Sequence, residues 1–151
     1  MRLYLDTSVF GGYFEPEFEA WTKPLFGKIK SGDHTLLHSP LVRIELQDAP
    51  ARVRELFESI PKNSLETIET NQQVDDMALE YIKAKVVGAT SFADCQHIAL
   101  ASLVRADVLV SWNFKHIVSV PRIRGYNSVN LRLGLQLLDI RTPIELLSHG
   151  H

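Results

Sequence analysis

Short apolar runs without polar alternation, set between helical stretches, are the feature that most narrows the folds open to this chain. Arg2-Leu3-Tyr4-Leu5 and Asp107-Val108-Leu109-Val110 read as strands buried on both faces, as strands of parallel sheets are. Thr35-Leu36-Leu37-His38 reads as a second strand in chain order, Leu65 to Ile68 as a short one, and Leu135 to Ile140 as the last. Helical spacing fills the gaps: Pro16 to Lys30, a helix opened by Ser39-Pro40, one from Pro50 to about Ile60, one from Asn71 to about Lys85 stopped by Gly88, Phe92 to Arg105, and a closing Pro143 to Leu147. Ser39, Asn71 and Ser91 are the expected N-caps, and Pro40 suits the first helical position. Gly11-Gly12 is expected to break the chain and Pro24 to kink or restart its helix, while Pro121, Gly125 and Asn127 mark an irregular or short-helix region. Alternating strands and helices predict an α/β fold around a mostly parallel central sheet flanked by helices. With no repeats, linkers or low-complexity tracts, residues 1–151 read as one domain.

Composition bounds the function classes. At 45% hydrophobic and 23% charged residues, the chain has the make-up of a soluble globular protein. No apolar run approaches a membrane span, and Met1 leads straight into a strand without a signal peptide, so a cytoplasmic protein with no membrane partner is expected. The single cysteine, Cys95, has no internal disulfide partner and reads as a buried free thiol; with no second cysteine or tight histidine cluster nearby, it argues against structural zinc. A net charge of −2 is not that of a protein that simply clings to nucleic acid. The distribution is uneven, however: residues 1–100 carry 10 Lys/Arg against 15 Asp/Glu, and residues 101–151 carry 6 against 3. An acidic part that needs cations lies beside a basic part able to meet phosphates.

Sites in open α/β sheets form at the carboxyl ends of strands. Asp6 stands at that end of the first strand and Asn113 just past Val108-Leu109-Val110, while Glu45 and Asp94 fall in the first turns of the helices opened by Ser39 and Ser91. If those helices begin on the same rim, four oxygen-bearing side chains converge. Clustered carboxylates repel unless a cation lies between them, and oxygen donors select hard ions such as Mg2+ or Mn2+. Asn113 would ligate only through its neutral carbonyl, giving weaker affinity than an Asp. Each residue also has a purely structural reading: Asp6 as a helix cap, Asp94 within a capping box Ser91-x-x-Asp94, Glu45 on a solvated face, Asn113 in a turn.

Leu5-Asp6-Thr7-Ser8-Val9-Phe10 resembles the opening motif of PIN-domain proteins. Ser39 to Leu46 is similar to the second motif of that family, Phe92 to Ala101 to the third, and Leu109 to Phe114 to the fourth. The ordered set spans nearly the whole chain. The resemblance implies a PIN-like, three-layer α/β/α domain and a Mg2+- or Mn2+-dependent ribonuclease acting on RNA, in many prokaryotic members a VapC-like toxin of a type II toxin–antitoxin pair. It implies Asp6 and Asp94 as the principal metal ligands, Glu45 serving a second metal or activating water, and Asn113 completing the shell. Thr7, Ser8 and Ser111 become hydrogen-bonding supports for these ligands. An antitoxin partner and a homodimer follow from the same resemblance. Asn113 departs from the acid many members carry, which bears on whether one metal is held or two.

His97, one helical turn beyond Asp94, reads either as orienting Asp94 or touching substrate, or as a satisfied, partly buried histidine. Lys115, His116, Arg122 and Arg124 are candidate RNA contacts, with Arg132 and Tyr126 nearby, against the plainer reading of solvated loop and helix positions. Phe18, Trp21 and Phe26 read as core or dimer-interface residues, and His149 and His151 as a frayed terminus. Two other functions compete: a PIN-like binding or assembly module with weak or absent catalysis, and an aspartate-nucleophile phosphatase. The second would need an acid two residues after Asp6, where this chain has Ser8.

Overall fold

A computed structural model describes residues 1–148, so His149 and His151 lie outside the described residues. Five strands, β1 (Arg2–Leu5), β2 (Thr35–His38), β3 (Leu65–Thr67), β4 (Val108–Val110) and β5 (Ile140–Arg141), form one sheet in the order β3-β2-β1-β4-β5. Every neighbouring pair is parallel. The helices are α1 (Thr7–Gly12), α2 (Glu19–Lys30), α3 (Pro40–Leu46), α4 (Ala51–Glu58), α5 (Gln72–Lys83), α6 (Phe92–Leu103), α7 (Val120–Arg132) and α8 (Pro143–Ser148). They pack in two groups, one in which α1 meets α2, α3 and α4 and α2 meets α8, the other in which α5 meets α6 and α7. The fold is α/β, an all-parallel sheet between helical layers. Among the described residues no helix is long and apolar enough to cross a membrane.

Leu3, Tyr4, Leu5, Leu109 and Val110 are essentially without exposed surface, which is why their strands carry no polar alternation. Ser39 caps α3 through its side chain and Asn71 caps α5, as read from sequence. Ser91 makes no side-chain cap bond, so the capping-box reading of Asp94 falls away.

Several boundaries differ from the sequence expectation. α1 runs through Gly11 and Gly12 instead of breaking there; a Cβ on Gly12 would stand 2.7 Å from the Trp112 indole, so this glycine gives room for packing. α2 begins at Glu19, after a turn, and continues through Pro24, which is exposed. α5 ends at Lys83, with Lys85 rather than Gly88 in the left-handed conformation (φ 60°) and Val86 N–H returning to the Tyr81 carbonyl. The supposed irregular region is the 13-residue α7. Pro121 fits its first turn, and Gly125 is there because a Cβ would lie 2.7 Å from Val86 Cγ1. Finally, of the expected last strand, Leu135 to Ile140, only Ile140 pairs with β4, and the pairing continues into Arg141; Leu137 is exposed and residues 135–139 form no ladder.

Candidate active site

The strand order places β1 between β2 and β4, so chain connectivity reverses direction between β1 and β4. In parallel α/β sheets the crevice at such a switch, outside the carboxyl ends, is where ligands bind. Asp6 ends β1 and Ser111 ends β4, and they meet there.

Asp6 is gripped from both sides. Ser8 Oγ donates to Asp6 Oδ1 at 2.5 Å, and Ser111 Oγ donates to Oδ2 at 2.6 Å. Each hydroxyl in turn accepts a backbone N–H from the segment leaving β4: Trp112 N–H to Ser8 and Asn113 N–H to Ser111, both at 2.9 Å. Two short relays thus run from the β4 backbone into the two carboxylate oxygens. Trp112 is held by an indole N–H bond of 3.0 Å to Thr22 Oγ1 and by stacking on Phe18 at 4.3 Å. Burial raises the Asp6 pKa; the Ser111 and Ser8 bonds and the nearby His97 oppose the rise, while Asp94 adds to it.

Asp94 lies in the first turn of α6 and is partly buried. Among the described residues it makes no hydrogen bond and no ion pair. Desolvation again leads in raising its pKa; His97 and His116 pull it down and Glu45 pushes it up. Glu45 on α3 is half-exposed and bonded through Oε1 to His97 Nε2. Burial works to raise its pKa, but the pKa is lowered, chiefly by the His97 hydrogen bond. The Thr7 hydroxyl faces Glu45 and lowers its pKa slightly more, without closing a bond of proper geometry.

Asp6, Glu45 and Asp94 therefore share one rim, linked by charge and by His97. Asn113 is on the same rim, but its side-chain oxygen is already engaged. Its Oδ1 accepts the His116 N–H at 2.9 Å, capping the turn after β4. Of the two sequence readings of His97, the structure matches the satisfied, buried histidine and not the one that orients Asp94. It is 3% exposed, and both ring nitrogens are bonded, to Tyr4 Oη and to Glu45, so it supports Glu45 rather than Asp94.

The basic candidates divide. Lys115 is exposed beside Asn113, and His116 lies close enough to Asp94 to affect its charge. The Arg122 guanidinium is engaged with the Val86 and Lys115 carbonyls and ties α7 to the segment after α5. Arg124, two residues on, is exposed on a different face of α7, and Arg132 pairs with Glu80 at 3.4 Å, so no single arginine strip forms. Phe26 is buried, Phe18 packs against Trp112, and Trp21 is exposed.

Sequence reasoning missed Tyr4 and Ser39 as site residues. Tyr4 carried a usable signal: a phenol in a strand buried on both faces must find a hydrogen-bond partner.

Among the described residues, no three His, Cys, Asp or Glu side chains stand close enough to hold a metal ion together. Mg2+ is commonly held by only one or two carboxylates, with water and substrate phosphate completing its shell. Asp6 and Asp94 supply that number of hard oxygen donors, each with its pKa raised first by burial and then by a neighbouring carboxylate. The donor chemistry fits a divalent cation at this pair. Searches against protein-family models and against curated proteins found no match to this chain.

Proposed function

We propose that this protein is a divalent-cation-dependent endoribonuclease of the PIN type, hydrolysing RNA phosphodiester bonds at the β1–β4 rim. The observation that carries the proposal is the pairing of two charge-coupled carboxylates at the sheet's switch point, one clasped by two serine hydroxyls and one with no protein partner among the described residues. RNA as the substrate comes from the ordered resemblance of four motifs to PIN-domain proteins.

In this reading Asp6 and Asp94 hold Mg2+ or Mn2+. The cation, when bound, supplies Lewis-acid polarisation of the phosphodiester and acidifies water. Ser8 and Ser111 keep the Asp6 oxygens fixed, which lowers the reorganisation needed to bind a cation. Glu45, ionised because its pKa is lowered, accepts a hydrogen bond from the attacking water and orients it. Lys115, exposed beside this rim, meets a substrate phosphate. Asn113 contributes by shaping the turn, so a single cation is the expected occupancy before substrate binds. Ser8, donating to Asp6, leaves no acid/base where an aspartate-nucleophile phosphatase would need one.

The same resemblance extends the proposal to the toxin of a toxin–antitoxin pair, a homodimer blocked by a small antitoxin protein. A short reading frame adjoining this one and a dimer by light scattering are the expected supports. A non-catalytic binding module is the second reading, favoured by the engagement of the Asn113 oxygen in its cap.

The deciding experiment combines Mn2+ calorimetry with cleavage of a single-stranded RNA by wild type, Asp6→Asn and Asp94→Asn. Wild type is expected to bind Mn2+ and cut RNA, and both variants to lose binding and at least ~10²-fold in rate. Cleavage that persists in EDTA, or in Asp6→Asn, refutes the nuclease; RNA binding without Mn2+ binding establishes the module.

A further inference from the structure

Beneath the rim lies a buried polar chain that the proposed chemistry does not use directly. Ser39, Tyr4 and His97 are 1%, 0% and 3% exposed, so their hydrogen-bonding groups must satisfy one another. Ser39 Oγ accepts backbone N–H bonds from Leu41 at 3.1 Å and Val42 at 3.4 Å, as the cap of α3. It also lies 2.9 Å from Tyr4 Oη, and Tyr4 Oη lies 2.7 Å from His97 Nδ1. The other ring nitrogen, Nε2, meets the Glu45 carboxylate.

A hydroxyl has one proton and two lone pairs. Both Ser39 lone pairs face backbone donors, so its proton goes to Tyr4 Oη. The Tyr4 proton then has one acceptor left, the bare lone pair of His97 Nδ1. Nε2 carries the imidazole proton and donates to Glu45. With the opposite tautomer, a lone pair on Nε2 would oppose a carboxylate lone pair. The doubly protonated ring would send the Tyr4 proton to an oxygen that already accepts two bonds and would strand the Ser39 proton.

We propose that Ser39, Tyr4 and His97 form a one-way hydrogen-bond relay that fixes His97 as the neutral Nε2–H tautomer, making Tyr4 and His97 positioning residues for Glu45. The relay joins the cap of α3, the middle of β1 and the second turn of α6. It therefore fixes the Glu45 carboxylate relative to Asp6, which ends the same strand, and Asp94, which sits one turn earlier on the same helix. The functional half of the proposal rests on the nuclease reading; the tautomer does not.

The test is the ring-nitrogen NMR spectrum of 15N-labelled protein at neutral pH, with His97 assigned by comparison with His97→Gln. Expected is a protonated Nε2 and a bare Nδ1, and a mixture of tautomers in Tyr4→Phe. A proton on Nδ1, protons on both nitrogens, or an unchanged spectrum in Tyr4→Phe overturns the relay. If a variant fails to fold, the wild-type spectrum, assigned through the His97 backbone, decides alone. In Mn2+-dependent RNA cleavage, Tyr4→Phe is expected to lose on the order of ten- to a hundredfold in kcat with little change in KM. His97→Gln, whose amide can still donate to Glu45, should retain more activity than His97→Leu, and equal loss in the two overturns the positioning role. Wild type that cuts no RNA removes the nuclease reading and leaves the tautomer to the spectrum.

Discussion

Replacing Ser111 with alanine isolates what the clasp does for Asp6. The substitution removes a 2.6 Å O–H···O bond to a residue 5% exposed and leaves the Asn113 N–H without its acceptor. A hydrogen bond to an ionised group contributes about 1.5–3 kcal/mol and a neutral one about 1 kcal/mol. Above the Asp6 transition, where the carboxylate is ionised, Ser111→Ala should therefore cost about 2.5–4 kcal/mol. Burial holds the folded pKa of Asp6 above its unfolded value, so the stabilisation carried by its proton is full below the unfolded pKa and is lost as pH rises through the folded one. Ser111 opposes that shift by favouring the ionised form, so its removal raises the folded pKa further. The cost of the substitution must then be small in acid, about 1 kcal/mol, and grow as pH rises through the Asp6 transition. Urea unfolding of wild type, Ser111→Ala, Asp6→Asn and the double variant across a pH series gives the coupling. A coupling of about 1 kcal/mol or more above the Asp6 transition that shrinks below it is expected. A cost independent of pH, or zero coupling, refutes the view that Ser111 acts through the Asp6 carboxylate.

Two further outcomes follow from the packing. Gly125→Ala should lose stability by about 1–2 kcal/mol, although alanine is the better helix former, because its Cβ would lie 2.7 Å from Val86 Cγ1; in a Val86→Ala background the same change should become stabilising, and thermal melts read both signs. Cys95, fully buried and with its thiol pKa pushed up to about 12, should resist a thiol-reactive dye in the native protein and react once in denaturant; rapid native labelling contradicts the buried assignment.

What the sequence reveals and what it conceals divide along physical lines. β1, β2 and β4 are legible because short runs with an apolar centre, set between helices, have few other places to go. The position of Asp6 at a strand end, and of Glu45 and Asp94 in first helical turns, followed from local spacing, and the topology brings them to one rim. Glycine and proline misled where their role is set by a distant neighbour: Gly12 by Trp112 and Gly125 by Val86, neither visible in local sequence. Leu135 to Leu138 looked like a strand because apolar character alone does not reveal whether a ladder partner exists. That His97 is satisfied is one of its two sequence readings, but its partners, Tyr4 and Glu45, lie 93 and 52 residues away and no local spacing names them. Such bonds become readable only once the strand order is known.

That Asp6 and Ser111 are 105 residues apart has its own consequence. A chain cut before β4 would retain the aspartate but lack both the hydroxyl at Oδ2 and the Trp112 amide that polarises Ser8. Closing the serine clasp on Asp6 and closing the most distant strand pairing are one event, and contacts of such span form slowly. The RNA cleavage proposed for this rim should therefore emerge in a refolding experiment with the last kinetic phase, and amino-terminal fragments should lack it however well their first strands and helices form.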